Sequence, residues 1–292
     1  TGTKGKGTTS TLIYQMLKSA GRSVYLGGNI GTGVFEFLDK LTADSWVVLE
    51  LSSFQLIDLT RSAHIGVILM TTSEHKDWHK SKAEYRGAKA NLVKYQSETD
   101  FAVVNQDYPG SVEIGKQGKG KKIWFSGRDW NGEMALRGQH NRENMAAAAA
   151  VAQIVGIKSQ VVDEVARGFK GLEHRLEEVA MVDGVTYFDD SFSTTPETTI
   201  AAVRAFTEPL ILIVGGSEKR SDFGELGRVI SEAKNIKAVI LIGLMAERIE
   251  KAIENKNIKL FQGAKNMTEI MDQVRSVAKP GDVVVLSPAA AS

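Results

Sequence analysis

Thr1-Gly2-Thr3-Lys4-Gly5-Lys6-Gly7-Thr8-Thr9 opens the chain and decides how the rest of it is read. Gly2, Gly5 and Gly7 let the backbone curl so that several N–H groups converge on one anion. Lys6 adds a mobile positive charge, and the hydroxyl of Thr8 or Thr9 is placed to reach a magnesium ion beside a bound phosphate. Leu12, Ile13, Met16 and Leu17 follow on one face at helical spacing, with Gly21 where the helix is expected to stop. A glycine-rich turn feeding a helix N-terminus is an anion grip. The pattern is a compressed relative of the Walker loop, with Gly7 where a Ser or Thr commonly follows the lysine. Such a loop normally follows a buried strand, so the chain is expected to be part of a longer protein that begins upstream of Thr1.

Moving outward, residues 23–26 read as a short strand opening into Gly27-Gly28-Asn29-Ile30-Gly31. That loop suits close approach to a ligand through the Asn29 amide, although a plain turn is the simpler reading. Trp46-Val47-Val48-Leu49 is an unbroken apolar run ending in Glu50. It predicts a buried strand delivering an acid at its carboxyl end, where a second magnesium-holding group belongs. Ser52, Ser53 and Gln55 crowd just after it. Residues 67–70 predict another buried strand, which empties into a polar lip running from Thr71 to His79. His75 and His79 have the spacing of a helical zinc pair, but no third ligand accompanies them, and zinc is disfavoured. A helix is expected over residues 81–95, where Lys89 lies among Gly87, Ala88 and Ala90. By pattern alone that lysine is solvated surface.

Residues 101–104 and 122–125 are strand-like. Gly138-Gln139-His140-Asn141-Arg142-Glu143-Asn144 then runs into a helix over 145–155, with Asn141 as its expected N-cap. After a helix over 160–169, Gly171 marks the boundary between domains 1–171 and 172–292. Beyond it, Asp183-Gly184 signals a two-residue hairpin turn. The polar stretch from Asp189 to Pro196 opens a helix over 197–206. Apolar strand runs (210–214, 238–242, 259–261, 283–286) then alternate with amphipathic helices, which predicts a parallel α/β sheet. The loops at 215–219 and 287–292 follow strand ends, where ligands of such sheets sit.

Composition narrows the class. The chain has 292 residues, enough for two cores, and carries 42% apolar and 24% charged residues. A formal net charge of +1 gives no electrostatic reason to expect nucleic acid or an anionic membrane. No apolar run approaches the length of a membrane span. The absence of cysteine excludes disulfides and thiolate metal sites and fits a reducing cytoplasm.

Taken in order, these motifs resemble the Mur ligase family, most closely its branch adding D-glutamate to UDP-N-acetylmuramoyl-L-alanine. The carriers are TGTKGKGTT (1–9), GGNIG (27–31), LELSSFQL (49–56), the helix with Lys89, GQHNREN (138–144), EHRLE (173–177), DDSFSTTPETTIAA (189–202) and LSPAAAS (286–292). The resemblance implies an α/β fold: a P-loop central ATP-binding domain with a mostly parallel sheet, then a smaller Rossmann-like domain. It implies a cytoplasmic monomer that couples ATP cleavage to amide formation through an acyl phosphate during peptidoglycan precursor synthesis.

The resemblance also implies roles by position. Gly2, Thr3, Gly5, Lys6, Gly7, Thr8 and Thr9 would cradle ATP, with Lys6 neutralising the β- and γ-phosphates. Thr8 and Glu50 would hold one Mg2+, and His75 with a carbamylated Lys89 a second. Asn141 and Asn144 would lie beside the adenine, and Arg175 and Asp190 would contact the nucleotide from the second domain. Asn29, Ser52 and Gln55 match the side receiving UDP-N-acetylmuramoyl-L-alanine, and Thr194, Lys219 and Ser292 the D-glutamate pocket. Three departures stand out: Met70 where Asn is frequent, Ala290 where cysteine is common, and Phe192 where D-glutamate ligases usually carry lysine. Two alternatives remain open at this point, a folylpolyglutamate-synthase-like ligase and a nucleotide-binding module without catalysis.

Overall fold

At Gly5 the opening turn passes into helix α1 (Lys6–Ser19) through a left-handed backbone, φ 84°, that favours glycine. The computed structural model describes residues 1–72, 81–217, 221–255 and 257–291. The chain forms two compact units, Thr1–Phe169 and Lys170–Ser292.

In the first unit α1 is followed by β1 (Val24–Gly28), β2 (Trp46–Glu50), the short α2 (Ser53–Leu56) and β3 (Ile65–Ile68). Then come α3 (Lys82–Lys94), β4 (Phe101–Asn105), α4 (Pro109–Gly115), β5 (Lys121–Phe125), α5 (Gln139–Ile154) and α6 (Ser159–Gly168). The apolar stripe of α1 is buried as its spacing predicts, against Met145, Ala147, Ala148 and Val151 of α5. The alanines let the two helices approach closely. Helix α3 starts where Ser81 accepts a hydrogen bond from the Glu84 N–H, 3.1 Å. Helix α4 is not foreseen in sequence, because Pro109-Gly110 reads as a turn; Pro109 occupies the first helical turn, where its missing N–H costs nothing.

Two expectations change. Helix α5 begins at Gln139 with Gly138 (φ 90°) as its N-cap, so Asn141 lies inside the first turn and is not the cap. The run 46–50 is a strand but not a buried one: Trp46 and Val48 pack against the core, whereas Val47 and Leu49 are 39% and 42% exposed. The reason is the sheet. Among the described residues β1 and β2 form a two-stranded sheet and β3-β4-β5 a separate three-stranded one, every pairing parallel.

The second unit is a six-stranded sheet of order β10-β9-β8-β11-β7-β6. Its elements are β6 (Glu177–Val182), β7 (Val185–Asp189), α7 (Pro196–Val203), β8 (Leu210–Gly216), α8 (Gly224–Glu232), β9 (Ile236–Gly243), α9 (Ala246–Ala252), β10 (Lys259–Phe261), α10 (Met267–Arg275) and β11 (Val283–Leu286). All pairings are parallel except β6–β7. That hairpin turns through Asp183 (φ 51°) and Gly184 (φ 74°), the two left-handed residues a type I′ turn requires. Alternate residues of the central strands face opposite layers. Leu210, Leu212 and Val214 pack with α7, α8 and α9, and Ile211 and Ile213 with α10. The chain steps from β7 over β11 to β8, so the carboxyl ends of β7, β8 and β11 meet where ligands of such sheets bind.

Candidate nucleotide site

The glycine-rich opening loop is held from behind. The Thr3 N–H donates to the Met70 carbonyl (2.7 Å), and the Thr3 hydroxyl accepts from the Thr72 N–H (3.0 Å) and shares a hydrogen bond with the Tyr85 hydroxyl (3.1 Å). On the other side Asn141 donates to the Arg137 carbonyl (2.7 Å), Asn144 donates to Asn141 (3.1 Å), and the Thr9 hydroxyl donates to Asn144 Oδ1 (3.2 Å). Both asparagines are buried. A Cβ added at Gly5 would lie 2.2 Å from Asn144 Oδ1, so a glycine is required there for contact as well as for φ. Of the two adjacent threonines, Thr9 is buried and bonded inward, whereas Thr8 is half-buried. Lys6 Nζ leans back towards the Thr3 carbonyl, 3.4 Å.

Lys89 is the feature that sequence pattern hides. It is 2% exposed, and its Nζ donates to the Gly2 carbonyl (3.1 Å) and to the Thr1 hydroxyl (3.2 Å), 4.7 Å from the Tyr85 ring centroid. Burial, and then the charge of Lys6, push its pKa down to about 7, with Glu50 pulling the other way. Tyr85 was not singled out in sequence; the available signal is its position four residues before Lys89 on α3, which places both on one helix face.

Glu50 ends β2 beside the glycine loop. The Asn29 N–H donates to the Glu50 carbonyl, 2.9 Å, and Gly28 (φ 99°) pairs with Glu50 so tightly that an added Cβ would lie 2.2 Å from the same oxygen. Gly28→Ala is therefore expected to cost about 2–4 kcal/mol, left-handed strain plus overpacking, read as a lower urea midpoint. Ser52 and Gln55 face each other across the start of α2: Gln55 Oε1 accepts from the Ser52 N–H (2.9 Å) and hydroxyl (3.1 Å).

In the second unit, the loops after β7, β8 and β11 are knitted together. Ala289 N–H donates to Ser193 (2.8 Å), Gly215 N–H to Pro288 (2.8 Å) and Ser217 N–H to Ala291 (2.8 Å), all to carbonyls. Asp190 is 4% exposed and accepts from the Ser287 hydroxyl (2.7 Å) and the Leu176 N–H (3.2 Å). Its burial raises its pKa against those bonds and the charge of Arg175. The Arg175 guanidinium lies 5.5 Å from the ring of Phe192, which is 57% exposed, and the Thr194 N–H donates to the Phe192 carbonyl, 2.9 Å. His174 meets the edge of that ring and bonds Asp189 through Nδ1, 2.7 Å. Asp189 accordingly holds His174 above the usual histidine range. An NMR titration should place the His174 midpoint above that of a free histidine, and Asp189→Asn should bring it back. His75, Lys219 and Ser292, together with His79, lie outside the described residues.

Comparison with known proteins agrees with this organisation. Residues 1–128 match the Mur ligase middle domain and residues 174–290 the Mur ligase glutamate ligase domain. The UDP-N-acetylmuramoylalanine–D-glutamate ligase of Geobacillus kaustophilus is 37% identical over 316 residues, covering 100% of this chain and 69% of that protein. The enzyme of that name from Pelotomaculum thermopropionicum is 38% identical over 318 residues, covering 100% of this chain and 70% of its own length. Among solved structures, MurF ligase from Thermotoga maritima in complex with ADP superposes with a TM-score of 0.74 at 20% identity, over 99% of this chain and 75% of that one. A MurF structure from Acinetobacter baumannii gives 0.78 at 17% identity, over 99% and 72%. Those last two show the fold alone. With matched domains in order and such relatives along its whole length, the chain belongs to the Mur ligase family, on the branch of the UDP-N-acetylmuramoylalanine–D-glutamate ligases.

Proposed function

We propose that this chain carries the ATP-binding and amino-acid-binding parts of an ADP-forming ligase that joins D-glutamate to UDP-N-acetylmuramoyl-L-alanine by way of an acyl phosphate. The observation that carries the reading is Lys89, buried beneath the phosphate loop and bonded to the Gly2 carbonyl. A helix surface does not place a lysine there without a use for it.

The residues present fit a nucleotide and its metal. Helix α1 has no side-chain cap on its first N–H groups, and Gly5 turns the chain so that they face the loop. Bound there, ATP supplies the phosphoryl group that activates the substrate carboxylate, and Mg2+ offsets the charge of the phosphates. Within this chain Lys6 supplies the positive charge on the loop, and Thr8 and Glu50 the hard oxygen ligands for one ion. Lys89, its pKa near 7, exists largely as a free amine at weakly alkaline pH, which is the form that takes up CO2. The neutral amine would add CO2 and release a proton, and the resulting anionic carbamate, with His75, would hold a second ion. Asn141 and Asn144 fix the loop from behind and lie towards the adenine side. In the second unit Arg175, braced on Phe192, and Asp190 serve as nucleotide contacts. Asn29, Ser52 and Gln55 receive the muramoyl-alanine, and Thr194, Lys219 and Ser292 the glutamate. The protein works as a cytoplasmic monomer.

Two measurements test this. In the longest natural form of the chain, ADP and phosphate release should require both UDP-N-acetylmuramoyl-L-alanine and D-glutamate; release with another amino acid and none with D-glutamate would refute the specificity. At constant dissolved 13CO2, a carbamate signal should grow as pH rises through about 7, because protonation removes the amine below that point. Growth only near pH 10, as for an ordinary lysine, would mean Lys89 is not poised for this chemistry.

A further inference from the structure

Arg175 sits on a turn that the chain does not adopt cheaply. His174 (φ 63°) and Leu176 (φ 46°), on either side of it, are both left-handed without being glycine. Backbone groups strap the turn down. The His174 N–H donates to Glu177 Oε2 (2.8 Å), the Leu176 N–H to Asp190 Oδ1 (3.2 Å), and the Phe192 N–H to the His174 carbonyl (3.1 Å). These bonds fix the main chain at Arg175 and leave its exposed side chain to be placed by another group.

That group is the Phe192 ring, whose centroid lies 5.5 Å from the guanidinium carbon. Among the described residues Arg175 forms no ion pair. The ring is held in turn by His174, edge-on at 5.5 Å between centroids, and His174 is tied to Asp189. Because Phe192 is more than half exposed, its burial contributes little to folding. A carboxylate would also order an arginine, but it would neutralise the charge and occupy the forked donors. An aromatic face orders the same group and leaves its N–H donors for an anion.

We propose that Phe192 is a positioning residue for nucleotide binding: its ring holds the Arg175 guanidinium oriented and uncompensated for a phosphate, so Phe192 governs nucleotide affinity and not the choice of amino acid. The inference rests on the proposed role of Arg175 as a nucleotide contact. It gives an exposed aromatic side chain a use that depends on the arginine. Loss of the ring frees the guanidinium to sample many rotamers, and a nucleotide must then pay for ordering it. An acidic side chain in place of the ring would capture the guanidinium and compete with the phosphate.

The test measures ADP binding by calorimetry and, in the nucleotide-free protein, the NMR order parameter of the Arg175 Nε–H bond. Phe192→Leu should weaken ADP about two- to fivefold, the worth of an exposed cation–π contact, and should lower the order parameter. Phe192→Trp should restore both, and Phe192→Glu should weaken ADP at least about tenfold. In an Arg175→Ala background Phe192→Leu should change nothing further, the non-additivity that marks action through the arginine. In the longest natural form, Phe192→Leu should leave the KM for D-glutamate where it was. An unchanged order parameter, a Phe192→Leu loss that persists without Arg175, or a shift in the D-glutamate KM alone overturns the proposal. If the order parameter falls as expected but Arg175→Ala leaves ADP affinity untouched, the nucleotide contact of Arg175 is what fails, and the affinity role of Phe192 falls with it.

Discussion

Lys6→Ala is expected to lower the rate of ATP cleavage by about 10²–10³-fold, the effect found when one preorganised charge-stabilising donor is removed. Little of the loss should come from misfolding. Lys6 is half-buried, its hydrogen bond to the Thr3 carbonyl is a long 3.4 Å, and it occupies the first position of α1. A cation at a helix N-terminus opposes the macrodipole, so its removal should leave the thermal midpoint unchanged or slightly higher. The enzyme would keep its structure and lose its chemistry, and coupled measurement of ADP release together with calorimetry reads both. Lys6→Arg keeps the charge but changes its shape, and should recover only part of the rate. Undiminished cleavage by the alanine variant would remove Lys6, and with it the phosphate-loop assignment, from the mechanism.

Lys89→Ala should lose at least as much activity, for a different reason. It deletes the amine proposed to accept CO2 and leaves a space beneath Gly2, next to Tyr85. Because the lost group is a carboxylate in the carbamylated form, formate or acetate entering that space should restore activity at least tenfold. Lys89→Met, which fills the space, should not respond. The stability readout has its own sign. The Lys89 pKa is about 7 in the folded chain and near 10.4 when unfolded, so the unfolded state holds more protons between those values. Stability should therefore rise with pH across that window, and Lys89→Met should abolish the rise. A fully active Lys89→Ala variant, or a flat wild-type profile, would contradict the proposed role.

The two residues also show what sequence can and cannot disclose. Lys6 is legible because its glycine neighbours constrain what the loop can do. Lys89 sits in an ordinary helical pattern, and its meaning depends on a loop more than eighty residues away that covers it. The same contrast runs through the fold. The Asp183-Gly184 turn was readable because only a few residues tolerate two successive left-handed positions, and the central strands of the second unit because their apolar runs are buried on both faces. The run 46–50 is legible as a strand from its apolar residues, but which of them are covered depends on neighbouring strands that its own pattern does not name. Asn141 was read as a cap since its side chain suits that position, but Gly138 captured the start of α5 by backbone conformation. Thr8 and Thr9 are chemically equivalent in sequence, and only the inward bond to Asn144 separates them.

That bond gives the site a form of chemical ageing to resist. Asn144 turns its oxygen to Thr9 and its nitrogen to Asn141, both neutral. Hydrolysis of the amide to a carboxylate exchanges one atom for another of nearly equal size, yet it would install a permanent anion directly behind Gly5, in the loop proposed to receive a polyphosphate. A single spontaneous deamidation would thus disable the protein with scarcely a change in its shape. The depth of Asn144 within α5 serves as its shield against time in solution.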